Sequence, residues 1–201
     1  MAIKFHYNKT SLQLLNKQLK VRVNALPTLK NKEAALRIEV KKAKDEAARL
    51  DQLLREKISD NENIIRLWNE FKPDLIAIKD VQLASKKIAG VKTPVLTEVE
   101  FEIKEYSLFK SPSWFPDGIK IIRDLAQIAI ERDVFERKTQ LLDFARKKTT
   151  QKVNLYEKVQ IPGYEEAILK IKRFMEDEEN LSKAAQKIVK SRMQQKESEV
   201  A

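Results

Sequence analysis

From Leu12, alternating steps of three and four residues reach positions 12, 15, 19, 22, 26, 29, 33, 36, 40, 43, 47, 50 and 54. Eleven of these thirteen are apolar, Arg22 and Glu33 being the exceptions. A dry stripe of mean period 3.5 stays buried over so many turns only if two helices wind about each other. Helices of globular domains rarely sustain such a pattern beyond about 25 residues. The positions between are mostly Lys, Arg, Gln, Asn and Glu, so the stripe is narrow and needs a partner, expected in the same chain.

The helix is expected to start at Thr10 or Ser11 as N-cap, to bend at Pro27, and to run to about Phe71, with Ile58, Ile64, Ile65, Trp68 and Phe71 as packing residues ahead of Pro73. Residues 74–89 read as a further helical stretch ended by Gly90. Val95, Thr97, Val99, Phe101 and Ile103 then alternate with Leu96, Glu98, Glu100, Glu102 and Lys104, the period of a half-buried strand. Tyr106, Leu108 and Phe109 are read as a second short strand, and residues 110–118 as a turn, with Asp117 capping the next helix.

Helical periodicity resumes near Ile119 and continues to about Ser191. One seam visits Ile121, Leu125, Ile128, Arg132, Phe135, Thr139 and Leu142; another visits Tyr164, Ala167, Ile171, Phe174, Glu178, Leu181, Ala185 and Ile188. Between them the register slips near Pro162 and Gly163, as a stutter would produce. At 1.5 Å per residue, ~70 helical residues reach roughly 105 Å, too long for a globular body of this mass.

The expected fold is therefore dominated by α-helix. It comprises a long antiparallel two-helix coiled coil with a small knob containing a β-hairpin, divided as residues 1–72, 73–118 and 119–201. In the expected register Leu12 lies near residue 190 and Leu54 near residue 148. Lys20 and Arg22 then lie level with Glu176, Asp177, Glu178 and Glu179, both termini share one end, and the knob crowns the other.

Composition sharpens this reading. Only 3 Gly and 6 Pro in 201 residues, with 35% charged residues, favour long helices, and 42% hydrophobic residues are too many for a disordered chain. No run approaches the roughly 18 apolar residues of a membrane span, and the absence of Cys removes thiolate chemistry. A cytoplasmic location is expected. The net charge of +10 is uneven: residues 1–32 hold seven bases and no acid, whereas residues 161–201 hold eight of each. Such a basic arm suits an anionic partner surface.

Chemistry is sparse. His6 is the single histidine and precedes the first helix, so no His-based triad or metal cage can form. Gly90, Gly118 and Gly163 are isolated, and the Lys148-Thr149-Thr150 run lacks a glycine loop before it. Neither catalysis nor a cofactor is expected. Patterning alone leaves a coiled-coil tether or scaffold and a basic nucleic-acid-binding coiled coil open, although no reading module is recognisable.

Residues 146–154 (RKKTTQKVN) and 155–163 (LYEKVQIPG) carry a resemblance. They are similar to the C-terminal helix of the D subunits of V-type rotary ATPases, where a run like K-T-x-x-x-V-N-x-L-E-x-V-x-I-P precedes a long amphipathic end. Residues 8–19, 30–36, 99–109 and 115–118 also resemble that family, with departures at Pro27, Glu33, Leu155 and Tyr156. The resemblance implies a non-catalytic central rotor shaft whose ends enter a ring of A and B subunits. The knob end would bind the F subunit and the C/d-type subunit above the membrane rotor. It implies no nucleic acid, no membrane insertion, and a place peripheral to the membrane in the V1 sector. Lys17, Lys20, Lys147, Lys148 and Lys152 are the expected ring contacts. Val99, Phe101, Ile103 and Tyr106 are the expected knob contacts, for the F subunit or for regulation.

Overall fold

The computed structural model describes residues 3–62, 67, 70–107, 109 and 111–200, the side chains of 73 and 196–200 excepted. Its elements are α1 (Lys9–Asp60), a 3-10 turn (Pro73–Leu75), β1 (Ile76–Ile88), β2 (Val91–Ile103), α2 (Phe115–Leu155), a π turn (Tyr156–Gln160) and α3 (Ile161–Val200). The chain is thus mostly helical with one antiparallel hairpin, as expected. Among the described residues no helix is long and apolar enough to cross a membrane.

The start of α1 is set by Asn8 rather than by Thr10 or Ser11. The Ser11 N–H donates to Asn8 Oδ1 at 2.7 Å, the N-cap bond, and the His6 N–H donates back to Ser11 Oγ at 3.3 Å. From there α1 passes through Pro27 without interruption and ends at Asp60, short of the expected Phe71; Ile64, Ile65 and Trp68 lie outside the described residues. All thirteen seam positions of α1 are buried or half-buried, Arg22 and Glu33 included.

Two compact units divide the chain: residues 1–31 with 150–201, and residues 32–149. In the first, Leu15 packs with Tyr164, Ala167, Ile168 and Ile171, bordered by Ile3, Phe5, Leu12, Leu19 and Met175. Arg22 Nε donates to Gln160 Oε1 at 2.7 Å, the Tyr164 hydroxyl donates to Gln18 Oε1 at 2.7 Å, and Lys30 pairs with Glu157 at 2.7 Å. In the second unit, Leu36, Val40 and Ala43 share a cluster with Leu142, and Arg132 reaches Asp51 at 3.4 Å. Within each unit the helices therefore run antiparallel.

Their register differs from the expected one. Leu15, not Leu12, sits in the cluster with residues 164–171, and Arg22 faces Gln160 and Tyr164 rather than the acids at 176–179. A slide by whole heptads preserves a dry stripe, so periodicity cannot choose the offset. In the second unit α2 starts at Phe115, four residues before the expected Ile119, and its first turns share a cleft with Lys57 and Asn61 near the end of α1. Asp117 lies in the first turn of α2 and is not its cap; Trp114 O accepts the Gly118 N–H at 2.9 Å.

The π turn explains the register slip. Pro162 has no N–H, and in an unbroken α-helix its ring would crowd the carbonyl four residues back. The chain adopts a wider turn instead, with the Ile161 N–H donating to Tyr156 O five residues earlier.

The largest correction concerns residues 74–89, expected to be helical, in which Ile76–Ile88 form β1. In the register, Ile78 pairs with Phe101 and Asp80 with Glu100, leaving Lys79 bulged; Gln82 pairs with Glu98 and Leu83 with Leu96, leaving Thr97 bulged. The first bulge turns a two-residue period into the spacing Ile76, Ile78, Val81, Leu83, which no longer reads as a strand. Gly90, a helix-stop signal, here closes a two-residue hairpin turn. Ala89 (φ 48°) and Gly90 (φ 83°) both have positive φ, the signature of a type I′ turn. The expected second strand at Tyr106 and Phe109 is absent: residues 104–107 are irregular, and Leu108 lies outside the described residues.

Nor does the hairpin crown an end of the helix pair; it lies back along the helices of its unit. Its base joins the cluster of Phe71, Leu75, Phe115 and Ile119, whereas Ile88, Ala89 and Val91 at its tip pack on Leu36, Val40, Ala43 and Leu142. A strand of thirteen residues, about 40 Å at ~3.3 Å per step, is long enough to cover the roughly 35 Å of helix from Ile119 to Leu142. Ala89 accepts a left-handed backbone where Asn is usual because its methyl is part of that cluster. Gly90→Ala would force a second Cβ into positive φ, with room beside Lys32 Nζ at 3.5 Å. We expect a loss of about 1–2 kcal/mol by urea titration, from backbone strain alone.

Candidate protein-contact surfaces

Three surfaces stand out. The first is α3 beyond Phe174, whose ring meets Tyr7 at 4.8 Å. Every residue from 176 to 195 is exposed, and Leu181 (71%), Ile188 (56%), Val189 and Met193 are apolar. At helical spacing Leu181, Ala185, Ile188 and Val189 share one side. Three of the eight positions of the expected second seam, Tyr164, Ala167 and Ile171, are buried, whereas Phe174, Glu178, Leu181, Ala185 and Ile188 are exposed.

The second surface is the hairpin. Ile78, Leu83, Val95 and Ile103 are exposed, and among the described residues the sheet has two strands, so that both edges are open there. Of the expected contacts, Val99 and Phe101 are half-buried, Phe101 under the Arg123 guanidinium at 5.6 Å. Tyr106 packs against the cluster at the hairpin base, 6.2 Å from the Phe115 ring, so Ile103 is the member that faces outward. Ile78 and Leu83 escaped sequence reasoning because their segment was read as helix.

The third is the set of exposed lysines. Lys17, Lys20 and Lys152 are exposed, with no ion pair among the described residues. Lys147 Nζ is held by Asp143 at 3.0 Å, and Lys148 Nζ stands 4.4 Å from the centre of the Phe144 ring. The Arg146 guanidinium and then Lys147 hydrogen-bond Asp143 and hold its carboxyl below the usual carboxylate range. A depressed folded value means that this pairing supports the fold fully above the unfolded pKa of about 3.9 and is lost as pH falls through the folded value. The melting-temperature difference between wild type and Asp143→Asn is thus expected to be largest at neutral pH and to vanish in acid. A constant difference down to pH ~2 would contradict this.

Among the described residues no group of His, Cys, Asp and Glu could hold a metal. A cleft of about 320 Å³ in the first unit is lined by residues such as Leu14, Leu155, Val159 and Tyr164, with Lys4 and Gln160, and by no carboxylate or imidazole.

Comparison with known proteins supplies the family. A family profile describing the D subunit of ATP synthase matches residues 11–191. The V-type ATP synthase D subunit of Borreliella burgdorferi is 32% identical over 191 residues, covering 94% of each chain. That of Chlamydia muridarum is 27% identical, covering 97% of this chain and 98% of its own, and that of Chlamydia pneumoniae is 27% identical over 88% and 87%. Agreement from end to end, through both helical runs and the hairpin between them, leaves one assignment: the chain belongs to the family of ATP synthase D subunits, in its V-type branch.

Proposed function

We propose that the protein is the central-stalk shaft of a V-type ATP synthase, turning within a ring of A and B subunits and carrying torque to the membrane rotor. The carrying observation is the apolar stripe of Leu181, Ile188 and Val189, which is left exposed among the described residues. A lone helix in water gains little from its own hydrogen bonds. Each such side chain gains about 1.5–3 kcal/mol when buried, so the stripe suits a sleeve of other subunits.

In this reading the shaft makes no bond itself. An asymmetric body inside a pseudo-threefold ring meets each catalytic interface differently, so binding free energy differs among the three, and rotation exchanges their states. Stiffness comes from the buried seam, and the π turn restores its phase after Pro162. Exposed Lys17, Lys20 and Lys152 face carboxylates of the ring, with Lys147 and Lys148 contributing less because Asp143 and the Phe144 ring already engage them. The hairpin, through Ile103 and its neighbours Val99, Phe101 and Tyr106, contacts the F subunit or tunes hydrolysis, and the C/d-type subunit joins the shaft to the membrane rotor. The complex works on the cytoplasmic side, peripheral to the membrane.

The test is reconstitution with A, B and F subunits. Incorporation of one copy per ring, with ATP hydrolysis becoming coupled to rotation of a bead fixed to the chain, is expected. A ring that closes and hydrolyses ATP identically without the chain would refute the reading.

A further inference from the structure

The hairpin separates its charges along its length. Asp80, Glu98, Glu100 and Glu102 lie toward the base, where Lys79 pairs with Glu100 at 3.5 Å. Toward the tip stand Lys86, Lys87 and Lys92, and Lys87 is directly opposite Lys92 in the register. Like charges facing each other across an antiparallel pair are unfavourable. A fourth ammonium joins them: Lys32 Nζ lies 3.5 Å from where a Cβ on Gly90 would stand. All four lysines are exposed, and none takes part in an ion pair among the described residues.

Lysines that merely guard an open edge against aggregation are expected along a strand, with acids interspersed. Here they gather around one turn. That turn is anchored, since Ile88, Ala89 and Val91 are packed on Leu36, Val40, Ala43 and Leu142, and the Thr93 hydroxyl (Thr93 is 1% exposed) donates to Lys86 O at 3.0 Å. A fixed platform loses little entropy when it binds.

We infer that the hairpin tip, with Lys32, Lys86, Lys87 and Lys92, is a docking site for a carboxylate-rich segment of a partner protein. The site gives a chemistry to the hairpin contact proposed above and rests on that reading of the hairpin as a contact surface. An extended acidic strand or the acidic face of a helix fits it, because successive strand residues alternate faces, so Lys86 lies on the face opposite Lys87 and Lys92 and the lysines do not converge on one point as a phosphate site requires.

Two measurements test it. In the first, a fluorescent oligoglutamate peptide is titrated into the full chain, into K32Q/K86Q/K87Q/K92Q, and into K41Q/K44Q/K57Q/K120Q, which has the same net charge; circular dichroism confirms equal helicity. About tenfold weaker binding by the tip variant, against less than about twofold by the control, is expected. Equal losses in both variants would reduce the effect to the diffuse field of a basic protein. Binding of polyphosphate without binding of oligoglutamate would name the wrong occupant; either result overturns the inference.

In the second, carbodiimide joins touching amines and carboxylates in the complex reconstituted with A, B and F subunits. Cross-links from Lys86, Lys87 or Lys92 to Asp or Glu of another subunit are expected. A complex that assembles and couples while these lysines stay uncross-linked sinks the tip site and leaves the shaft reading standing. Failure of assembly strikes the shaft reading, and the peptide titration still decides the tip.

Discussion

Leu181→Asp/Ile188→Asp is expected to fold like the wild type and to lose its place in the complex. Both side chains are more than half exposed in the chain by itself, so their replacement should move stability by no more than about 0.5 kcal/mol. Inside a protein sleeve the same change removes two buried aliphatic groups and adds two carboxylates that must be desolvated. Even ~3 kcal/mol of that cost weakens assembly by more than ~100-fold. Lys187→Asp/Gln194→Asp, on the opposite side of α3, carries comparable new acidity and should assemble nearly normally. The readout is co-purification with A and B subunits as a function of concentration. Normal assembly by the Leu181 and Ile188 variant would show that this stripe is not the buried surface, and would remove the observation on which the shaft reading leans.

The second large effect concerns Leu142, which is 0% exposed and belongs to the cluster joining α1, α2 and the hairpin tip. Leu142→Ala leaves a cavity that three elements would have to close together, so about 2–5 kcal/mol is expected. Because Ile88, Ala89 and Val91 share the cluster, the loss should appear both as a lower urea midpoint and as faster amide exchange at the hairpin tip. Leu142→Met keeps the volume and should lose less than about 1.5 kcal/mol. Leu83→Ala, at a site 54% exposed, should lose still less. Should Leu142→Ala destabilise the helices while exchange at residues 88–91 is unchanged, the tip would not be docked where the packing puts it.

Much of the molecule was legible in the residues. The seam of α1 could be read position by position because burial of one stripe is a property of spacing alone. The interruption before Pro162 was legible because a missing N–H leaves a local mark, and β2 declared itself by strict alternation. The lysines at 17, 20 and 152 could be singled out for lack of acids nearby in sequence. Lys147 could not be judged that way, since Asp143 reaches it only once helical geometry sets residues four apart side by side.

What escaped did so for identifiable reasons. β1 was hidden by its bulge at Lys79 and by Gly90, a residue that ends helices and turns hairpins equally well. The lysine cluster at the tip followed it out of sight, because Lys32 is more than fifty residues from Lys87 and meets the turn only through packing.

By itself, then, the sequence determined which residues of α1 form its dry stripe, that two helical runs must pair antiparallel, that a strand-bearing segment separates them, and which family the chain resembles. These follow from periodicity and local stereochemistry, which do not depend on where distant parts lie. Tertiary structure alone decided the offset of one helix against the other, the course of the hairpin back along its helices, and which part of the last seam is left uncovered. Sliding a periodic stripe by whole heptads costs nothing locally. Only the meeting of distant groups — Arg22 with Gln160, Asp51 with Arg132, Ala89 with Leu36 — selects one alignment among several that the pattern permits.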